Sequence, residues 1–350
     1  MDKLDIMSLF PEELEEEISK ISEKSGTKIE KYRSKQIYSW LTKGVYSFDE
    51  MGNIPAKIKA VLDEYCFITL PVVEKKLVSK IDGTVKYLFR LYDGEFVESV
   101  FMRYEHGNTI CVSTQVGCRM GCTFCASTLM GLKRNLLPSE ILGQVIAAQK
   151  DLNEKVSNIV MMGIGEPLDN YDNVLKFLSL VNHKDGLNIG HRHISLSTCG
   201  LCDKIRSLAD ERLQLTLSVS LHASDGETRK KLMPVARKFD LDELISACRY
   251  YIDKTGRRIS FEYSMISGEN DTALHAERLA KLLQGMICHV NLIPLNDVKE
   301  RNYTKSSKKA IDEFVRILEK HKIAATVRRR LGSDINASCG QLRAENEHNK

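Results

Sequence analysis

Three cysteines crowd the run Cys118-Arg119-Met120-Gly121-Cys122-Thr123-Phe124-Cys125, spaced C-x3-C-x2-C with an aromatic just before the last thiol. Thiolates this close can hold one iron–sulfur cluster, and a [4Fe–4S] cube ordinarily takes four protein thiolates. A site with three leaves one iron open, and an open iron can bind a small molecule. A structural zinc site instead needs four ligands, commonly a C-x2-C pair with a second pair downstream. Unrelated buried thiols are the other alternative.

The elements that must position these thiols read as follows. From Thr109 the chain alternates strand, loop and helix. Strands are expected at Thr109–Ser113, Asn158–Met162, His193–Ser197, Leu215–Ser220, Ile259–Met265 and Cys288–Ile293, with Ile323–Val327 as one more. Helical patterns intervene near Ser139–Leu152, Asn170–Val181, Cys202–Arg212, Leu241–Lys254, Ala273–Leu283 and Ser306–Lys320. Such units with parallel connectivity build an α/β fold, a partial (β/α)6 barrel, whose chemistry sits in the loops after the strand C-termini. The polar motifs fall there. The cysteine run follows the first strand, Gly165-Glu166-Pro167 the second, Ser197-Thr198-Cys199-Gly200 the third, Ser220-Leu221-His222 the fourth and Pro294-Leu295-Asn296 the sixth. Taken singly, each has a plainer reading: a strand-end Ser as a turn residue, His222 as a satisfied histidine, Asn296 as a helix cap. Their joint position after successive strands favours a site.

Ahead of the barrel, residues 1–70 read as a helical accessory domain. Leu14, Ile18 and Ile21 share one face, and Ile37, Trp40 and Leu41 another. Lys28, Lys31, Arg33, Lys35, Lys43, Lys57 and Lys59 suggest a nucleic-acid contact surface. Residues 71–104 read as an antiparallel hairpin linker carrying Glu98, with turns at Asp82-Gly83 and Asp93-Gly94. The barrel is expected over 105–343 and a frayed tail over 344–350.

Composition bounds the class. With 350 residues, 43% hydrophobic content and a net charge of +4, the chain can build a large core and is no disordered polyelectrolyte. No stretch approaches a membrane span. The acidic run Glu12-Glu13-Leu14-Glu15-Glu16-Glu17 is unlike a secretory leader. Ten cysteines at irregular spacing then imply a reducing cytoplasm, where clustered thiols hold metal or do chemistry. Cys66, Cys199, Cys202, Cys248 and Cys288 are read as buried small hydrophobes. The late cations Lys299, Arg301, Lys305, Lys308, Lys309 and Arg328-Arg329-Arg330 are either solvated or phosphate contacts.

The cysteine spacing with Phe124 resembles the radical S-adenosylmethionine (SAM) superfamily, in which the open iron chelates SAM and an electron from the cluster yields a 5′-deoxyadenosyl radical. Four further strings narrow the resemblance: Gln115-Val116-Gly117-Cys118, Met161-Met162-Gly163-Ile164-Gly165-Glu166-Pro167-Leu168, Ser220-Leu221-His222-Ala223 and Ser338-Cys339-Gly340-Gln341-Leu342. Together they resemble the RlmN family of dual-specificity adenine methyltransferases, which act on carbon-2 of an adenine in 23S rRNA and of one beside the anticodon in tRNA. Ile164 stands where that family usually has methionine. The related Cfr family, the alternative, methylates carbon-8 and usually reads Gly-Glu-Ala and Gln-Cys-Gly-Cys. Pro167 and Val116 favour carbon-2.

The resemblance implies roles by position. Cys118, Cys122 and Cys125 ligate the cluster. Gly165, Glu166, Ser197, Ser220, Leu221, His222 and Asn296 bind SAM, Glu166 through the SAM ammonium. One SAM methylates Cys339, and the radical from a second removes a hydrogen from that methyl group. The methylene adds to carbon-2, Glu98 matches the proton acceptor, and Cys111 releases the product by forming a disulfide with Cys339. Implied partners are 23S rRNA, tRNA and an electron donor such as flavodoxin or ferredoxin, with the chain a monomer and no membrane.

Overall fold

A computed structural model describes residues 3–296 and 303–337. Cys339, the rest of the Ser338–Leu342 motif, Lys299, Arg301 and the 344–350 tail lie outside the described residues.

One ten-stranded sheet runs in strict chain order. Its strands are β1 (Val72–Val78), β2 (Val85–Arg90), β3 (Phe96–Met102), β4 (Thr109–Cys111), β5 (Asn158–Met161), β6 (Ile194–Thr198), β7 (Thr216–Ser220), β8 (Ile259–Met265), β9 (Cys288–Pro294) and β10 (Ala325–Val327). The first four pair antiparallel, and β4 onward pair parallel. Helices Pro138–Leu152, Tyr171–Asn182, Cys202–Asp210, Leu241–Thr255, Ala273–Leu282 and Lys308–Lys320 cross between the parallel strands. A parallel strand cannot return by a tight turn, so each crossover carries a helix that covers the sheet. In β8 the residues from Phe261 to Met265 are all buried, as a strand covered on both faces requires.

Local chemistry sets the boundaries. Asp240 caps Leu241–Thr255 by accepting the Glu243 N–H at 2.8 Å, and Gly256 ends that helix in the left-handed region at φ 65°. Gly83 and Gly94 turn the two hairpins with φ of 71° and 86°, as the Asp-Gly pairs predict. The antiparallel ribbon differs from expectation in its attachment. It has three strands, and β3 pairs with β4 through Val100 opposite Cys111. The ribbon therefore continues the barrel sheet and delivers Glu98 to the same wall as Cys111.

Helices Pro11–Ser25, Tyr32–Lys43 and Ala56–Tyr65 make the N-terminal unit. Leu14, Ile18, Ile21, Ile37 and Leu41 are buried as their spacing predicts, while Trp40 stays half-buried and donates to Asn53 Oδ1 at 2.6 Å. Their core is continuous with the barrel core. Asp5 fastens the two by accepting from Ser139 Oγ at 2.5 Å.

Candidate active site

Backbone geometry shapes the cysteine loop before side chains do. Gln115–Gly117 and Leu132–Asn135 form a short antiparallel ribbon at its base. Gly117 has φ 75°, and a Cβ there would sit 1.9 Å from the Gly131 carbonyl oxygen, which accepts the Cys118 N–H at 2.8 Å. Only glycine fits. Thr128 Oγ1 donates to the Cys122 and Cys125 carbonyls at 3.2 and 3.0 Å, and Thr123 N–H donates to the Leu232 carbonyl at 3.0 Å. Arg119 binds Asp169 through two nitrogens, at 2.5 and 2.9 Å.

Cys118, Cys122 and Cys125 line one open cavity together with Gly165, Glu166, Ser197, Ser220, His222 and Asn296. Burial pushes the Cys118 thiol up to about 12 and the Cys122 thiol well above its ordinary value. A bound metal offsets that cost, because a coordinating thiol is deprotonated outright. Among the described residues no group of three His, Cys, Asp or Glu side chains is placed to hold a single ion. A cube sets each thiolate on its own iron and needs no such convergence. Three thiols and several polar groups lining one cavity fit a three-thiolate cluster and a small-molecule ligand.

Glu166 is buried beside them. Its carboxylate accepts the Cys199 N–H at 2.7 Å and the Leu168 N–H at 3.1 Å. Burial raises its pKa, opposed by the Cys199 hydrogen bond. Gly165, at φ 108°, lies so close to Gln115 that a Cβ would meet its Cβ at 2.7 Å. His222 Nδ1 accepts the Ser264 N–H at 2.9 Å, so the ring proton sits on Nε2. Burial lowers the His222 pKa to about 3, leaving a neutral ring, and Phe124 meets it edge-on at 4.8 Å. The Leu221 side chain belongs to the core and does not line the cavity; its N–H donates to the Glu262 carbonyl at 3.0 Å.

Two charged residues of this region escape sequence reasoning. Glu262 lines the cavity, buried, accepting from Asn291 Nδ2 at 2.7 Å and Ser260 Oγ at 3.0 Å. Arg229 is wholly buried, and its Nη2 donates to the Cys199 carbonyl at 2.7 Å. The Cys199 peptide thus bridges Arg229 and Glu166. Glu262 is the one charged residue of the strand Ile259–Met265, and that was the available signal.

A second cavity adjoins the first. Cys111, Val100, Met102, Tyr104, Arg329 and Ala337 line it, while Ile293, Asn296 and Arg328 line both. Val100, Met102, Cys111, Ile164 and Ala337 form one apolar cluster. Glu98 is buried and ion-paired with Lys86 at 3.0 Å.

The fold and the three-thiol cavity define a radical SAM enzyme, and the Radical SAM superfamily model matches residues 112–283. Named relatives span the chain. A probable dual-specificity RNA methyltransferase RlmN from Clostridium novyi is 54% identical over 97% of both chains, and one from Alkaliphilus oremlandii is 53% identical over 100% of both. The crystal structure of a radical SAM methyltransferase from Sphaerobacter thermophilus superposes with a TM-score of 0.92 at 41% identity, covering 98% of this chain and all of that one. The chain belongs to the RlmN family of radical SAM RNA methyltransferases. That family implies a [4Fe–4S] cluster and SAM as cofactors. Among the described residues no helix is long and apolar enough to cross a membrane.

Proposed function

We propose that this protein methylates carbon-2 of an adenine in 23S rRNA and of one beside the anticodon in tRNA. The observation that carries this reading is the join between the two cavities: cluster thiols and Glu166 wall the first, Cys111 and Ala337 the second, and Asn296 and Arg328 line both. Ala337 stands two residues before Cys339 in the chain. Pro167 and Val116 support carbon-2 over carbon-8.

Carbon-2 lies between two ring nitrogens and is electron-poor, so electrophilic SAM finds nothing there to attack it. When bound, the cluster and SAM supply a radical route to such a carbon. Cys118, Cys122 and Cys125 would hold the cluster, and Glu166 would accept from the SAM ammonium. Gly165, Ser197, Ser220, His222 and Asn296 would shape the SAM bed, with Leu221 packed beneath it. Cys339 takes its methyl from one SAM and gives up a hydrogen of that methyl to a second, so each turnover consumes two. The Cys339 methylene then bonds to carbon-2, and Glu98 takes the carbon-2 proton. Cys111 forms a disulfide with Cys339 as the C–S bond to the base breaks. The electrons balance over the whole turnover: conversion of the second SAM to methionine and 5′-deoxyadenosine would take up two, and disulfide formation gives up two. A donor such as flavodoxin or ferredoxin starts the cycle, and the protein works as a cytoplasmic monomer.

The test is mass spectrometry of nucleosides from 23S rRNA and tRNA treated with the reconstituted enzyme. The expected product is 2-methyladenosine. Finding 8-methyladenosine alone would overturn the carbon-2 assignment.

A further inference from the structure

Strand β2 is buried from Val85 to Phe89, and Lys86 is the charged residue within that stretch. Its Nζ lies 3.0 Å from Glu98 Oε1, with the two side chains 5% and 3% exposed. The ladder places them on one face. Lys86 pairs with Val100, Val100 with Cys111 and Cys111 with Val160, a single row across four strands. Glu98 is two residues before Val100, so it points the same way. Lys86 Nζ also donates to the Asn336 carbonyl at 3.4 Å, three residues before Cys339.

A buried ion pair is weak evidence of a stability role, because apolar residues of similar volume often do as well or better. A pair kept in this strand, on the row of Cys111, calls for a use. Docking the 332–337 segment is not that use, since another part of the ribbon does it. Asp334 accepts from Ser79 Oγ at 2.7 Å and from the Lys80 N–H at 2.9 Å, and Asp82 accepts the Gly332 N–H at 2.9 Å.

We propose that Lys86 is a positioning residue for the proton-transfer step: it holds Glu98 ionised beside Cys111 and aligned with the segment leading to Cys339. The inference rests on Glu98 being the proton acceptor. In that step the C–H bond at carbon-2 breaks, its proton forms an O–H bond on Glu98, and its electron pair stays with the base. A buried carboxylate that loses its cation takes up a proton instead. A protonated Glu98 cannot accept another. Removing the Lys86 charge therefore stalls the reaction where removing the Glu98 charge does, after the base has bonded to the Cys339 methylene.

The experiment compares full-length, cluster-loaded wild type, K86M, K86Q, E98Q and K86M/E98Q on transcribed 23S rRNA and tRNA. Denaturing gels read covalent RNA, mass spectrometry reads methylated adenosine, and 5′-deoxyadenosine reports that the earlier chemistry still runs. K86M, K86Q and E98Q should each form 5′-deoxyadenosine, carry covalent RNA and lose product by roughly 100-fold or more, the usual weight of a general base. K86M/E98Q should match E98Q. K86Q keeps a hydrogen-bonding group, so it decides the matter should K86M fold poorly. If E98Q carries no covalent RNA, the reading of Glu98 as acceptor fails. If E98Q carries it and the Lys86 variants do not, Glu98 stands and the role given to Lys86 is overturned, as it is by wild-type turnover in K86Q.

Discussion

At the scale of single residues, the cysteine loop depends on atoms that are missing. Gly117 turns the chain at φ 75° with the Gly131 carbonyl where a Cβ would be. A Gly117→Ala protein must move the Leu132–Asn135 strand or the Cys118 amide, and either change shifts the first cluster thiol. Strain in the left-handed region adds to the clash. We expect Gly117→Ala to fold, because the loop lies outside the main core, yet to lose most of its bound iron and brown absorbance. Iron analysis after anaerobic reconstitution checks this; a wild-type iron content would mean the loop tolerates the shift. The thiols themselves were legible from sequence because C-x3-C-x2-C is a local pattern. Lys86 and Arg229 were not, because their meaning comes from partners distant in sequence, Glu98 for one and the Cys199 carbonyl for the other.

Elements place those residues, and the strand–helix rhythm made most of them readable. Asn158–Met161, Ile259–Met265 and Cys202–Asp210 appear within a few residues of where periodicity puts them. Features not read include the pairing of Leu4–Asp5 with Cys66–Phe67, the short Gln115–Gly117 ribbon, and helix Gly226–Leu232. The first two rest on pairing that no single segment encodes, and the helix is too short for a periodic signal. The pairing of β3 with β4 was hidden for the same reason. Its consequence is that the β1–β2 turn becomes a latch for the 332–337 segment. Gly332 sits at φ 57°, where a Cβ would meet the Ala337 Cβ at 2.7 Å, and Asp82 and Asp334 fasten the segment from outside. Asp334→Ala combined with Asp82→Ala should loosen residues 332–337 while sparing the cluster loop. Hydrogen exchange should rise in that segment, and methylation should fall several-fold rather than vanish, since hydrogen bonds at an exposed turn are partly screened. Unchanged exchange in the double variant would show that the latch is not what holds the segment.

At the scale of the whole molecule, two surfaces compete for the RNA backbone. The N-terminal helices carry the cations that sequence reasoning favoured, but the structure spends several of them locally. Lys28 lies 3.5 Å from Glu30 and Lys31 3.4 Å from Glu15, Lys59 donates to the Asp49 carbonyl at 3.0 Å, and Lys43 covers the Trp40 ring at 4.9 Å. The unit also shares its core with the barrel, so deleting it would expose apolar surface and confound any binding measurement. Charge substitution is the cleaner probe. Arg329 and Arg330 are exposed and stand at the second cavity beside Cys111, where a base taken out of its stack would enter. On the proposed reading, backbone phosphates flanking that base pass the mouth of the cavity that these two arginines line. The prediction is a contrast in salt dependence. Arg329→Ala with Arg330→Ala should lower the slope of log affinity against log salt by roughly 1.4 to 1.8, the loss of two phosphate contacts. Lys28→Ala with Lys31→Ala should change it little, because those ammonium groups already face carboxylates. Fluorescence anisotropy with labelled tRNA between low and physiological salt reads both. A larger slope change in the lysine pair than in the arginine pair would move the RNA path from the cavity mouth to the N-terminal helices.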